Sequence, residues 1–207
     1  MTAPAFLHLL DAAQRAHASH PGLAAFVGFP DDLSEQPMTP HSIPAADLLA
    51  RETGLFGNDQ AELRDAFIAA APEALWRETY KGTDIGQDFM DRFGCYCLIG
   101  PGAPWTSARM AGFVVYMPAD LHYPWHHHPA EEMYLVLAGE ARFLAEGAPP
   151  ETLRAGDTSF HASNQPHAME TGAHPVMAYV TWRSHLQTPP VLTERPVADT
   201  DNSEGPR

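Results

Sequence analysis

One stretch of the chain decides the fold: Tyr123-Pro-Trp-His-His-His-Pro-Ala-Glu-Glu-Met-Tyr-Leu-Val-Leu-Ala-Gly139. Its chemically distinctive residues, His126, His128, Glu132 and Tyr134, are all even-numbered. Alternate side chains of an extended strand point to the same face, so strands on both sides of the bend at Pro129 place these four together. Converging imidazole and carboxylate groups are the ligands that divalent first-row metals prefer. The stretch therefore predicts a metal site built on strands.

The spacing of these residues also matches a family motif. His-x-His, three residues, Glu, six residues and Gly is met by His126, His128, Glu132 and Gly139, and this resembles the first motif of the cupins. The alternative is a metal-free, histidine-rich surface turn, which would not require the even spacing.

A second cupin motif, a Gly followed by a Pro and a later His, is matched by Gly156, Pro166 and His167. Its usual Pro-x-Gly turn is absent, and Thr171 stands where the family has a closing Asn. The resemblance implies a mainly β fold, the double-stranded β-helix or jelly-roll barrel. It also places His126, His128, Glu132 and His167 on the ligand positions of that barrel.

Composition narrows the classes of partner. The 207 residues favour one domain with additions, and a 44% hydrophobic content supplies a substantial core. A net charge of −14, with the 12 Lys and Arg scattered, argues against binding nucleic acid or an anionic membrane. No apolar run approaches the roughly 20 residues of a membrane span, and the N-terminus makes a poor signal peptide. We therefore expect a cytoplasmic monomer or homodimer, with Cys95 and Cys97 reduced.

The hydrophobic pattern changes along the chain. Helical spacing predicts helices over 3–19, 42–52 and 60–80, the last with a break at Pro72. From Gly86 onward the apolar runs are short and β-rich. The predicted strands are Phe93–Ile99, Gly112–Met117, Glu132–Leu137, Ala141–Glu146, Glu151–Leu153, Thr158–His161, His167–Thr171 and Val176–Trp182. The predicted organisation is a helical extension over 1–84, a cupin barrel over 85–187 and a flexible tail over 188–207.

The phenol of Tyr134 is expected in the same cavity as the metal ligands. It is either a packed aromatic of the barrel wall or a phenolate near, or on, the metal. A neighbouring dication lowers a phenol pKa, which would make Tyr134 a base. The ligand types suit Zn, Fe, Mn, Ni or Co and do not choose among them. Spacing does not fix the direction of Tyr123, because Pro124 resets the strand.

A narrower resemblance covers both motifs. Tyr-x-x-His-x-His-Pro-Ala-Glu-Glu-x-Tyr-x-Val-x-Ala-Gly-Glu-Ala, followed by Phe160-His-Ala-Ser-Asn-Gln-Pro-His-Ala, is similar to the cupin dimethylsulfoniopropionate (DMSP) lyases, and most similar to their Q type. The resemblance implies a metal-bound enzyme that cleaves DMSP into dimethyl sulfide and acrylate. It also implies that the metal ligands are His128, Glu132, Tyr134 and His167, that His126 lines the site, and that Tyr134 and Tyr123 are catalytic.

DMSP carries a sulfonium, and a cation of this kind binds well to aromatic faces. Trp182, Tyr179, Trp125 and Phe160 are candidates for that contact. Tyr179 and Trp182 differ in parity, so a regular strand aims only one of them inward, and we favour Trp182.

Three other functions fit parts of the pattern. A cupin dioxygenase of a small thiol or acid would need Fe(II) and O₂. A sugar-phosphate isomerase would need Lys or Arg in the cavity, and Arg142 and Arg183 are a thin supply. A non-catalytic metal-dependent binding module would show no turnover and would not need Tyr134.

Overall fold

The computed structural model describes residues 2–194. Its N-terminal part is helical, and proline lies in the first turn of the first three helices, where the missing N–H costs no hydrogen bond. The helices are α1 (Pro4–Ser19), α2 (Pro21–Phe26), α3 (Pro44–Arg51), α4 (Ala61–Ala70) and α5 (Gln87–Arg92), with a 3₁₀ turn over Ala71–Glu73.

The helix predicted over 60–80 is too long, because helical structure stops at Glu73. Pro72 cannot continue an α-helix, and the chain beyond it is extended. Trp76 forms a bridge with Tyr96 and donates its indole N–H to the carbonyl of Ala71 at 2.9 Å. The segment after the turn therefore runs along the edge of the sheet and carries its side chains to the barrel.

The remainder of the described chain is β structure, as predicted. The strands are β1 (Ser34–Glu35), β2 (Gly94–Ile99), β3 (Trp105–Thr106), β4 (Ala111–Met117), β5 (His122–His127), β6 (Glu131–Ala145), β7 (Glu151–Arg154), β8 (Thr158–His161), β9 (His167–Glu170), β10 (Val176–Arg183) and β11 (Val191–Leu192). Their order in space is β1-β3-β2-β4-β10-β6-β9-β5-β11, with β7 and β8 also paired to β6.

The long strand β6 joins the two sheets. Its first half pairs with β8 and β10, and its second half pairs with β7 and β9. The sequence predicted two strands here, broken near Gly139, but the chain is continuous across that position. Because one strand belongs to both sheets, the sheets face each other and enclose an interior core between them.

Two apolar cores lie on opposite faces of β10. Val176, Ala178, Val180 and Trp182 point into the barrel, whereas Met177 and Tyr179 pack against the N-terminal helices. The helices thus cover the outer face of one sheet and leave the interior of the barrel for the site.

The segment predicted to be a flexible tail begins with ordered structure. Val191 and Leu192 pair with His127 and His126 of β5. The rest of the predicted tail, residues 195–207, lies outside the described residues.

Thr171, which stands where the second cupin motif has an Asn, has a structural role. Its hydroxyl donates to the carbonyl of Pro118 at 2.6 Å and accepts the N–H of Leu121 at 2.9 Å. These bonds tie the end of β9 to the loop before β5, the strand that leads into the site.

Replacing Gly139 with Ala is expected to destabilise the fold by about 2–5 kcal/mol. This motif glycine has φ of +72°, and an added Cβ would lie 1.8 Å from the carbonyl oxygen of Pro175. Gly147 has φ of +82° with no neighbour within 4 Å of such a Cβ, so Gly147→Ala isolates the backbone cost of about 1–2 kcal/mol. Urea unfolding of both variants measures the difference, and equal losses would show that the contact with Pro175 costs nothing.

Candidate active site and metal centre

Three predicted ligands from separate segments meet inside the barrel. His128 follows β5, Glu132 lies at the start of β6 and His167 begins β9. Their exposed fractions are 3%, 2% and 3%, and one ligand atom from each lies within 4.8 Å of the other two. The structure therefore brings together residues that are up to 39 positions apart in the chain (167 − 128).

Backbone carbonyls fix the orientation of both imidazoles. Nδ1 of His128 lies 3.0 Å from the carbonyl oxygen of Ala130, and Nδ1 of His167 lies 2.8 Å from that of Gln165. A carbonyl can only accept, so in each neutral ring Nδ1 carries the proton. Nε2 then presents its lone pair to the centre of the group, which is the usual arrangement of metal-binding histidines.

The three atoms that face one another have no hydrogen-bond partner. They are Nε2 of His128, Nε2 of His167 and Oε2 of Glu132, and all are buried. The two nitrogens lie 3.3 Å and 3.1 Å from Oε2. Three lone pairs directed at one another are unfavourable unless a positive charge lies between them. A divalent cation fits this group by its donor chemistry.

The second oxygen of Glu132 is already occupied. The indole N–H of Trp182 donates to Oε1 at 2.6 Å. This bond fixes the carboxylate plane and directs Oε2 towards the histidines, a supporting contact of the kind that surrounds metal ligands.

Electrostatics keep the carboxylate charged. Burial by itself would raise the pKa of Glu132, but the imidazoles of His128 and His167, which can carry a proton in place of a cation, hold it well below its usual value. Burial opposes a charge on His128 as well, yet the pKa of this imidazole is raised because Glu132 lies beside it. A proton is thus the natural competitor of a cation here, and metal affinity should fall as the pH falls.

His126 lies next to this group and outside it. Its ring stacks on Tyr123 with centroids 4.0 Å apart, and it meets the ring of His167 at 4.1 Å. Burial, followed by the neighbouring His167, holds the pKa of His126 well below 6.5, so the ring is neutral. Its position is that of a wall residue that supports His167.

Two of the predicted tyrosines line the cavity beside Glu132. Tyr134 is buried, and burial together with Glu132 raises the pKa of its phenol well above 10. Tyr123 is also buried, and its hydroxyl lies 2.7 Å from that of Tyr80. Both phenols are therefore neutral near pH 7 in the absence of a nearby positive charge.

The aromatic residues predicted to contact the sulfonium lie in different parts of the structure. Trp182 lines the cavity, with its ring 4.3 Å from that of His128. Tyr179, predicted to contact the substrate, lies instead on the opposite face of β10, where its hydroxyl is 3.2 Å from Nε2 of His17. Phe160 packs against Phe26 at the surface and is 45% exposed, so it is not in the site either.

Trp125 is half-buried and is not among the residues that line the cavity. Its carbonyl accepts the N–H of Thr193. Its proposed contact with substrate therefore lacks support from the geometry.

The site also contains residues that the sequence analysis missed. Tyr80 and Arg77 reach the cavity region from the extended segment after α4, and His161 stacks on His167 with ring centroids 4.1 Å apart. Burial is the main reason that the pKa of His161 falls to about 3. His161 pairs with Glu132 across β8 and β6, so the predicted strands could have suggested it. No spacing pattern in the sequence could have suggested that Arg77 or Tyr80 lies near the site.

The cavity beside the ligands is mostly apolar, with a few polar groups. It is lined by Arg77, Thr79, Phe93, Cys95, Phe113, Val115, Tyr123, Glu132, Tyr134, Val180, Trp182 and Pro190. An apolar wall with converging polar groups is typical of a small-molecule site. The β-barrel and its inward-facing histidine–carboxylate group define the protein as a cupin.

Comparison with known proteins identifies the family. The sequence profile of the family described as dimethylsulfoniopropionate lyase matches residues 24–178. Dimethylsulfoniopropionate lyase DddQ of Ruegeria pomeroyi is 55% identical over 93% of this chain and 96% of that protein. The crystal structure of that enzyme superposes with a TM-score of 0.91, covering 93% of this chain and 98% of the other. The chain belongs to the dimethylsulfoniopropionate lyase family.

A second solved structure supports this placement. It comes from work on the DMSP lyases RdDddP and RnDddQII, and it is 38% identical with a TM-score of 0.86 over 92% of this chain and 98% of that one. Separately, none of the helices within residues 2–194 combines the length and the apolar character needed to cross a membrane.

Proposed function

We propose that this enzyme cleaves DMSP by β-elimination into dimethyl sulfide and acrylate, that the reaction depends on a divalent metal, and that Tyr134 is the base. The observation that carries the proposal is the group of unpartnered atoms on His128, Glu132 and His167 beside a buried phenol. The family relationship supports the substrate, because the relative at 55% identity is named as a DMSP lyase.

His128, Glu132 and His167 would hold the cation, with Tyr134 adjacent to it. When bound, a divalent cation supplies positive charge that polarises a substrate carboxylate and lowers the pKa of a neighbouring phenol. Without such a charge, burial and Glu132 keep Tyr134 protonated. Tyr134 would therefore act as a base only when the site is loaded.

The elimination itself needs one proton acceptor and one leaving group. The Tyr134 phenolate takes the Cα proton, and the C–H electron pair forms the Cα–Cβ double bond of acrylate. The Cβ–S electron pair leaves with sulfur, so the cationic sulfonium departs as neutral dimethyl sulfide. Tyr123 lies in the same wall, where its contact with Tyr80 can orient its hydroxyl towards the reacting atoms.

Aromatic residues suit the sulfonium end of the substrate. Trp182 lines the cavity, whereas the face of Phe113 is already covered by the guanidinium of Arg77 at 5.2 Å. A cation against an aromatic face gains about 0.5–2 kcal/mol per contact. The indole of Trp182 would serve both the substrate and the orientation of Glu132.

Removing the metal is expected to abolish dimethyl sulfide release, a loss of more than about 100-fold. Purified protein with DMSP is assayed by gas-phase detection of dimethyl sulfide, with and without a chelator, and after adding back Zn, Fe, Mn, Ni or Co singly. Anaerobic and aerobic assays should agree, because elimination consumes no oxygen and dioxygenation does. Full activity in protein shown by elemental analysis to be metal-free would contradict the proposal.

A further inference from the structure

Arg77 is a cationic side chain in the cavity wall without a carboxylate partner. One of its terminal nitrogens, Nη1, donates to Sγ of Cys97 at 3.3 Å, and the guanidinium lies 5.2 Å from the centre of the Phe113 ring. None of the ion pairs formed within residues 2–194 includes Arg77. It is also the only Lys or Arg among the described residues that line the cavity.

The backbone around Arg77 is held firmly. Its N–H donates to the carbonyl of Cys95 at 2.8 Å, and its neighbour Trp76 is buried against Tyr96 with ring centroids 4.9 Å apart. The guanidinium therefore approaches the cavity from a fixed point on the sheet edge, as a group prepared for a ligand would.

The charge of Arg77 is not compensated by the protein. A guanidinium stays protonated at any ordinary pH, whereas burial raises the pKa of the Cys97 thiol and keeps it neutral near pH 7. A half-buried cation beside a thiol and an aromatic face, with no ion-pair partner within residues 2–194, is costly unless an anion joins it. The neighbouring phenols of Tyr80 and Tyr123 are neutral as well, because burial raises the pKa of both.

We infer that Arg77 recognises the carboxylate of the substrate and makes the cavity specific for small monocarboxylates. The inference rests on the proposed function and adds the residue that selects and orients the substrate. A guanidinium presents two parallel N–H groups that match a carboxylate, and Lys cannot reproduce this geometry. DMSP is anionic at one end only, so Arg77 attracts that end and repels the sulfonium. A carboxylate offers about four lone-pair sites, so both oxygens can accept from the guanidinium while one of them also faces the cation.

Arg77→Met is expected to raise KM for DMSP by about 10–100-fold, with a smaller effect on kcat. Arg77→Lys should recover only part of the loss. Arg142→Met is the matched control, because Arg142 is exposed and pairs with Glu170 on the outside of the barrel. An unchanged KM in Arg77→Met would overturn the assignment.

An analogue without the carboxylate separates recognition from structural damage. The primary amide of DMSP has the same length and the same sulfonium, and the original protein should strongly prefer the acid. Arg77→Met should lose part of that preference, because the guanidinium acts on the acid alone while the cation still distinguishes the acid from the amide. If acid and amide turnover fall by the same factor, Arg77 supports the structure and the inference is wrong.

Propionate binding measures recognition of a carboxylate by Arg77 without any turnover of substrate. Calorimetry with the protein as isolated should show propionate binding at least about 10-fold more weakly in Arg77→Met than in the original protein. If DMSP gives no dimethyl sulfide but this difference is found, the proposed function fails and the carboxylate site stands. If dimethyl sulfide is released and propionate binds both proteins equally, the proposed function stands and the inference on Arg77 fails.

Discussion

Replacing Tyr134 with Phe is expected to lower the release of dimethyl sulfide by about 10²–10⁴-fold, the usual contribution of a positioned base. The change removes one hydroxyl from a buried ring that packs 5.5 Å from Phe143 and 5.6 Å from His161. Those ring contacts survive in the variant, so the fold should be retained. Headspace analysis of dimethyl sulfide at saturating DMSP measures the effect on kcat.

The matched control is Tyr179→Phe. Tyr179 is buried too, and its hydroxyl lies 3.2 Å from Nε2 of His17, but it belongs to the core between the helices and the sheet. Removing that hydroxyl should leave kcat within a few-fold of the original while affecting stability similarly. Unchanged turnover in Tyr134→Phe would remove its assignment as the base, and a much larger loss in Tyr123→Phe would give the role to Tyr123.

The centre of the site could be predicted because local geometry decides it. His128, Glu132 and Tyr134 lie on or beside two strands joined by a short bend, and the alternation of strand side chains is a property of the backbone. His167 was identified through a family motif, and its pairing opposite His126 explains why the motif holds. Because of the same alternation, Trp182 points into the barrel, as the sequence analysis predicted, and Tyr179 points to the opposite face of the sheet.

The rest of the cavity depends on contacts between distant segments. Arg77 and Tyr80 belong to a stretch that the helical pattern assigned to a helix, and its extended path follows from Pro72 and the packing of Trp76 on Tyr96. Phe160 and Trp125 were proposed for their ring chemistry alone, which does not report the direction of a side chain. Sequence patterns therefore located the His128–Glu132–His167 group and missed Arg77 and Tyr80.

A sugar-phosphate isomerase is not favoured by this wall. The predicted sources of phosphate binding, Arg142 and Arg183, are paired with Glu170 and Glu131 rather than directed into the cavity. A single guanidinium, that of Arg77, suits one carboxylate better than a phosphate dianion. The charge in the cavity thus agrees with the small zwitterion that the family relationship indicates.

Glu132→Gln is expected to lower both metal affinity and turnover by more than about 100-fold. This exceeds the loss of metal affinity that follows when only a supporting contact of a ligand is removed, which is about 10–100-fold. Gln has nearly the same shape and can still accept the indole N–H of Trp182, so the change isolates the charge. Glu132 provides the single negative charge of the His128–Glu132–His167 group, and a neutral amide oxygen is a weak replacement. Elemental analysis of the purified variant gives the metal content directly.

Glu131→Gln is the control for this charge. Glu131 is adjacent in sequence but pairs with Arg183 at 2.9 Å on the other side of the strand, so metal content and turnover should be unchanged. Thermal unfolding adds a readout free of catalysis, because a cation that binds the folded state alone raises the melting temperature. Added metal should stabilise the original protein and Glu131→Gln, and it should leave Glu132→Gln unaffected. If Glu132→Gln still binds one metal per chain and releases dimethyl sulfide at the original rate, the cation is not held by Glu132. The assignment of Tyr134 as a base activated beside that carboxylate would then fall with it.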